Sequence, residues 1–308
     1  MTELSRKADM ALSDLTANGG LLLPEQNDTF IRKLIDAPTF LRAVRSHPMN
    51  APEERINKIG FGGRILRAAS QTGGAEDNGT NGRYLAKADR SAPVTSQISM
   101  ATKEIIAEIR LPYEVFEDNI EGDGLKDTIL SMIAERAALD LEELILLGDT
   151  TSGDAYMALH NGILKRVSSH VVNAANSTVS ADIFNNMKKA LPTKYRRNLG
   201  SMRYFVSMDR ESDYRLAVAS RGTDLGDAIL QGNQELPVLG IKMSSAALMP
   251  NAQGLLLDPR NVIFGIQRNI RIEQDRDIRS REVIIVLTAR VALQIEEEDA
   301  IVKLVNLG

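Results

Sequence analysis

The chain has 308 residues, 43% hydrophobic and 25% charged, which is a globular balance with length for one large or two modest domains. It holds no cysteine and only three histidines, so disulfides, thiolate nucleophiles and zinc ribbons are excluded and histidine-based catalysis has little to work with. The formal net charge of −4 hides a segregation: residues 51–103 carry 8 basic and 5 acidic groups, whereas residues 104–149 carry 3 and 13.

The opening "MTELSRKADMALSDL" mixes charged and apolar residues without a secretory apolar core. No run approaches the roughly 18 apolar residues that span a membrane, so a soluble protein kept in cytosol-like conditions is expected. Within the first 50 residues, "QNDTFIRKLIDAPTFLRAV" gives one thin helical stripe, with Asp28 as a cap and Pro38 as an interruption. Its balanced charge and narrow apolar face suit an arm that packs on something else.

From Arg55 to Lys103 the pattern becomes β-like. "RINKIGFGGRILRA" and "APVTSQISMATKEIIAEIRL" read as two long strands around a glycine-rich tip, Gln71 to Gly82. A hairpin needs only two to five loop residues, so the segment predicts a long two-stranded finger. Such a hairpin is marginally stable by itself; a neighbouring surface must hold it.

The strongest element follows. In "DGLKDTILSMIAERAALDLEELILLGD", Leu125, Ile129, Ile133, Ala137, Leu141 and Ile145 recur every four residues, predicting a helix from a cap at Asp123 to a stop at Gly148. At 1.5 Å per residue this is a rod of roughly 35 Å. Beyond it the chain turns to mixed α/β. "SADIFNNMKKALP" and "DRESDYRLAVAS" read as capped helices, and "MRYFVSM", "GLLLD" and "NVIFGI" as strands. A tail of long β runs is broken at "EQDRDIRSRE" and "EEEDA".

No constellation of catalytic residues emerges. Gly62, Gly63, Gly73, Gly74, Gly79 and Gly82 complete no phosphate-loop pattern, and no G-x-S-x-G elbow occurs. Glu296 to Asp299 could in principle hold a hard cation, but alternate strand residues face opposite sides, so a solvated bend is expected. His47, His160 and His170 lack partner spacing and are expected at a surface or interface. The basic stretch "TKYRRN", Thr193 to Asn198, is too short for base reading. No catalytic residue, metal or cofactor is expected, and the chain is not expected to be an enzyme.

The order of these parts resembles the major capsid proteins of tailed phages, the Hong Kong 97 family. The echoes are "EIIAEIRLPYEVFEDN" (Glu104–Asn119), the helix ending "IAERAALDLEELILLGDT", "NGIL" (Asn161–Leu164), "VLGIKM" with "LMP" (Leu248–Pro250), and "EDAIVKL" (Glu298–Leu304). The family often has proline two residues after the glycine of "LGIKM", where this chain has Lys242.

The resemblance implies an α+β fold with an N-terminal arm (1–55), an extended β-hairpin E-loop (56–103) and a peripheral domain with a long spine helix (104–150). An axial α/β domain (151–260) and return strands of the peripheral domain (261–308) complete it. It implies self-assembly into pentamers and hexamers of an icosahedral head in the virion, built in the host cytoplasm around double-stranded DNA without sequence-specific binding. Portal, scaffolding or decoration proteins are the implied further partners, and no membrane is. The E-loop lies over an adjacent subunit in the family, which makes Arg64, Arg67, Arg83 and Lys87 candidate inter-subunit contacts. Some relatives cross-link a finger lysine to an asparagine, and Lys87 is the candidate lysine, with no matching Asn and Glu identified. The spine helix runs along the inner side of the shell, so Glu135, Asp140, Glu142 and Glu143 are expected to keep that wall neutral to acidic. An encapsulin nanocompartment, which shares the fold and encloses protein cargo, is the alternative; the long arm in place of a short cargo-docking helix argues against it.

Overall fold

The computed structural model describes residues 40–61, 63–66, 90–114, 124–220 and 236–308. The chain begins there with α1 (Phe40–Ala43), β1 (Arg45–Pro48), β2 (Glu53–Gly60), β3 (Val94–Ala101), β4 (Lys103–Pro112) and α2 (Gly124–Leu147). It continues through α3 (Ile163–Arg166), β5 (Val171–Asn173), α4 (Ala181–Ala190), β6 (Arg203–Val206) and α5 (Met208–Ala219). It closes with β7 (Pro237–Val238), β8 (Ile241–Ser245), β9 (Gly254–Leu257), β10 (Val262–Asp277), β11 (Glu282–Ile295) and β12 (Val302–Val305). Two compact units result. The described residues of Ala51–Ala101 form one, and the other described residues form the second.

In the larger unit a four-stranded sheet has the order β1-β10-β11-β4. β10 and β11 form a long hairpin whose last pair is Asp277 with Glu282, so the ladder persists through most of "EQDRDIRSRE" and only four residues make the turn. The sequence pattern placed the break too early because charged residues tolerate an exposed strand as well as a loop. β4 lines the other side of β11, from Lys103 opposite Val291 to Pro112 opposite Glu282. The middle of α2 covers these strands, with Ile133 buried alongside Leu111, Ile285 and Leu287 and with Ile129 and Ala137 packed against them.

A six-stranded sheet follows the order β5-β12-β9-β6-β8-β7. Its faces are apolar because β6 and β9 alternate little and are buried throughout most of their length, as strands covered on both faces are. On one face α4 brings Phe184 edge-on to Tyr204, at 4.9 Å between ring centres, and to Tyr214 of α5 at 5.4 Å. Such edge-to-face pairs add about 0.5–1.5 kcal/mol beyond area burial. Ser207 caps α5 by accepting from the Arg210 N–H at 3.3 Å. Ser180 precedes α4 without a side-chain cap bond, contrary to the sequence expectation. β12 pairs with β5 and β9, so the stretch 261–308 contributes strands to both sheets.

The two sheets share a cluster around Phe40, Leu146, Phe205, Leu257, Phe264 and Val291. Phe40 of α1 is fully buried and meets Phe205 edge-on at 4.8 Å. The end of α2 is largely enclosed, with Leu141, Leu144, Ile145 and Leu146 all buried. Gly148 ends the helix as expected, but for a different reason from a left-handed cap. A Cβ there would run into the His160 carbonyl oxygen, and one on Gly162 would come within 2.6 Å of Leu146 O. The two glycines let the returning chain pass directly against the helix end, where the Gly162 N–H donates to Gly148 O at 2.7 Å. His160 is not a surface residue; it is 7% exposed, and its Nε2 bonds Val291 O at 3.0 Å. Burial pushes its pKa below the ordinary histidine value.

The smaller unit also corrects the strand boundaries. The first predicted strand stops at Gly60, where Phe61, Gly62 and Gly63 follow and glycine disfavours strand. The second divides at Thr102. β3 pairs with β2 alone, while β4 belongs to the four-stranded sheet. Thr102 itself belongs to the larger unit, its hydroxyl donating to Gln267 Oε1 at 3.1 Å beside an irregularity in β10.

Candidate assembly surfaces

The unit Ala51–Ala101 is a two-stranded ribbon, in register from Glu53 opposite Ala101 to Gly60 opposite Val94. Directly opposed residues share a face. One face therefore presents Ile56 with Ile98 and Val94 beside Gly60, and the other presents Arg55, Asn57, Ile59, Thr95, Gln97 and Ser99. Within the unit no third strand or helix covers either face among the described residues. Large apolar side chains stay in water: Ile59 is 75% exposed, Leu66 83% and Val94 59%. Each is worth about 1.5–3 kcal/mol if fully buried, and the ribbon by itself realises little of that.

Arg64 is exposed, and its carbonyl accepts from Ser91 Oγ at 3.2 Å. Its guanidinium has no partner among the described residues. Arg67, Arg83 and Lys87 lie outside the described residues. In the sequence the charges of this finger are conspicuous and Ile59, Phe61, Leu66 and Val94 less so. Their signal was present, as large apolar residues in a stretch with no second layer to receive them.

The structure separates the four acidic residues of α2. Glu135 is exposed. Asp140 pairs with Arg136 one turn earlier at 2.9 Å. Glu143 is half-buried. Glu142 is fully buried and belongs to no wall, which corrects its expected place among the surface carboxylates. Its Oε2 accepts the backbone N–H groups of Phe40 (3.2 Å) and Leu41 (3.3 Å), so it ties the segment entering the fold to the long helix. The cause is its position in "LEELILL": four consecutive apolar residues, Leu144 to Leu147, mark a helix end buried on more than one face.

The acidic bend after β11 behaves as solvated structure with separate partners. Glu296 pairs with Arg45 at 3.1 Å, and Glu297 accepts from the Tyr195 hydroxyl at 3.1 Å. Glu298 accepts from Ser168 and Ser169, and those backbone and hydroxyl donors hold its pKa below the ordinary glutamate value. Asp299 lies 3.9 Å from His170. Among the described residues no three acidic or histidine side chains converge as metal ligands. In "TKYRRN", Arg196 bonds backbone carbonyls of Leu191 and Lys189, and Lys194 lies over the Tyr195 ring at 4.9 Å, so part of this basic stretch is engaged within the chain.

The model for the phage capsid family matches residues 19–306. A curated relative, the putative prophage capsid protein YqbE of Bacillus subtilis (strain 168), is 43% identical over 320 residues, covering 99% of this chain and 98% of that protein. Among solved structures, the capsid of a native GTA particle superposes with a TM-score of 0.67 at 17% identity, over 97% of this chain and 100% of that one. The satellite phage P4 procapsid that includes the size determination (Sid) protein gives a TM-score of 0.62 at 14% identity, over 100% of this chain and 98% of that one. Mycobacterium phage Bobi gives 0.62 at 14%, over 97% and 99%. The fold is thus of the Hong Kong 97 type, and the chain belongs to the phage capsid family.

Proposed function

We propose that the chain is the major capsid protein of a tailed phage, assembling as pentamers and hexamers into the icosahedral head around double-stranded DNA. The observation that carries this beyond family membership is the set of exposed apolar residues of Ala51–Ala101, Ile59, Phe61, Leu66 and Val94, which have no use in an isolated subunit. As the E-loop it would lie on an adjacent copy, with Arg64, Arg67 and Arg83 set against acidic groups from the block 104–149. Complementary charge would guide register and encounter more than affinity.

The protein performs no catalysis in this role. Portal, scaffolding or decoration proteins are its further partners, and assembly takes place in the host cytoplasm. Glu135, Asp140 and Glu143, without Glu142, keep the wall facing the DNA neutral to acidic. Binding to DNA is driven by Lys and Arg neutralising phosphates, so such a wall lets packaged DNA slide. The prophage name of the relative favours a DNA-filled head over an encapsulin shell.

Electron microscopy of the purified protein tests the assignment. Closed icosahedral particles are expected from the intact chain, and soluble capsomers with few closed shells after deletion of Gln71–Gly82. Normal shells from that deletion would contradict the E-loop role. Protein cargo in place of nucleic acid inside native particles would favour the encapsulin alternative.

A further inference from the structure

Two stretches that the capsid role leaves unused, the basic "TKYRRN" and the acidic bend after β11, meet in one open cleft of about 350 Å³. Its walls come from the turn Arg196–Ser201, the turn Pro259–Asn261, the start of β1 and that bend. These walls are held in place by the chain itself. The Asn261 side chain spans the bend, its Nδ2 donating to Glu297 O at 2.7 Å and its Oδ1 accepting the Glu297 N–H at 2.8 Å. The Glu296 N–H donates to Asn261 O at 2.9 Å. Met202 and Ala300, both buried, add an apolar part to the lining.

Four cations and three carboxylates line the cleft, and they are unequally served. Glu296 pairs with Arg45 at 3.1 Å. Glu297 accepts from the Tyr195 hydroxyl, to which the Lys194 ammonium donates at 3.3 Å. Asp258 accepts the Arg260 backbone N–H at 3.0 Å, so it serves the turn rather than a guanidinium. The side chains of Arg197 and Arg260 are exposed and have no partner among the described residues. Every carboxylate here has a donor, and two permanently charged groups have no acceptor. The planar fork of arginine suits a carboxylate held by two parallel charge-assisted bonds, and a concave wall focuses the field of its charges.

We propose that this cleft binds an acidic peptide segment, seating a carboxylate side chain against Arg197 and Arg260. A nucleic-acid backbone is the poorer ligand. Duplex DNA carries a charge about every 1.7 Å and would bring successive phosphates past Asp258, Glu296 and Glu297 with only two free cations to meet them. A glutamate or aspartate brings a single charge on an apolar stem, which Met202 and Ala300 can receive. The cleft is complete within one subunit, so the inference goes beyond the capsid assignment and does not depend on it.

Fluorescence anisotropy of a labelled glutamate-rich peptide, titrated with unassembled subunits, tests the proposal. Saturable binding is expected, weakened at least about tenfold by Arg197→Gln together with Arg260→Gln, as loss of charge-assisted bonds implies. Arg279→Gln together with Arg281→Gln removes the same charge from the exposed β10–β11 turn and should leave binding unchanged. All four positions are exposed, so both double variants should unfold at the wild-type midpoint. Equal losses from the two pairs would show unspecific attraction and overturn the proposal. So would a wild type that does not bind the peptide, or a duplex DNA oligonucleotide that displaces the peptide and binds more tightly.

Discussion

The six-stranded sheet and the β2–β3 ribbon are built from similar aliphatic residues, yet they use them in opposite ways. In the sheet, Leu255, Leu256 and Leu257 are all 0% exposed, and the Tyr204 ring meets Phe184 of the covering helix edge-on. In the ribbon, Ile59, Phe61, Leu66 and Val94 are left in water. The larger unit contains its own stabilisation. The ribbon buries Met100 yet leaves these side chains exposed, so the packing missing at Ile59, Leu66 and Val94 is to be sought on another copy.

Core substitutions give the largest expected effects and sharpen that contrast. Phe205→Ala should destabilise unassembled subunits by about 3–5 kcal/mol, read by denaturant unfolding. Ile59→Ala together with Val94→Ala should change the same transition by less than about 1 kcal/mol, because exposed sites do little, while strongly lowering shell yield. Equal losses of subunit stability from both would break the comparison.

Next comes the carboxylate inside the larger unit. Glu142→Ala removes the acceptor of the Phe40 and Leu41 N–H groups, a loss of about 1–3 kcal/mol for a buried donor left unsatisfied. Glu142→Gln should recover part of it. Glu135→Gln, on the exposed side of the same helix, should stay within about 0.5 kcal/mol. If the two positions responded alike, Glu142 would not be the tie to the entering segment.

A smaller effect depends on pH. Burial lowers the pKa of His160 in the folded state from the ordinary value of 6.5, so the unfolded chain binds the proton more readily. Stability is therefore full above about pH 6.5 and declines as pH falls below it toward the folded pKa. Unfolding midpoints measured between pH 8 and pH 5 should fall, and His160→Gln should flatten that part of the profile. The smallest change is expected from the exposed Arg136–Asp140 pair, about 0.3–0.5 kcal/mol in a double-mutant cycle at low salt.

How far the sequence anticipated these regions follows from which signals are local. The apolar repeat from Leu125 to Ile145 and the stop at Gly148 made α2 readable, since helix periodicity is a property of one segment. The two families of β runs were readable too, but not their partners. β propensity continues through Thr102, so nothing local announces that β3 and β4 join different sheets. Glu142 and His160 looked like surface groups because their burial is created by residues about 100 and 131 positions away. The role of Gly148 was obscured in the same way, because the carbonyl that leaves no room for a Cβ arrives from His160. Of the proposed finger contacts only Arg64 lies among the described residues.

The central claim is that the ribbon's stability comes from neighbouring copies. Hydrogen exchange of the amides in Glu53–Gly60 and Val94–Ala101, compared between unassembled subunits and closed shells, tests it most directly. Rapid exchange in the subunits and strong protection in the shells is the predicted result. Protection in isolated subunits equal to that of β9 would contradict it.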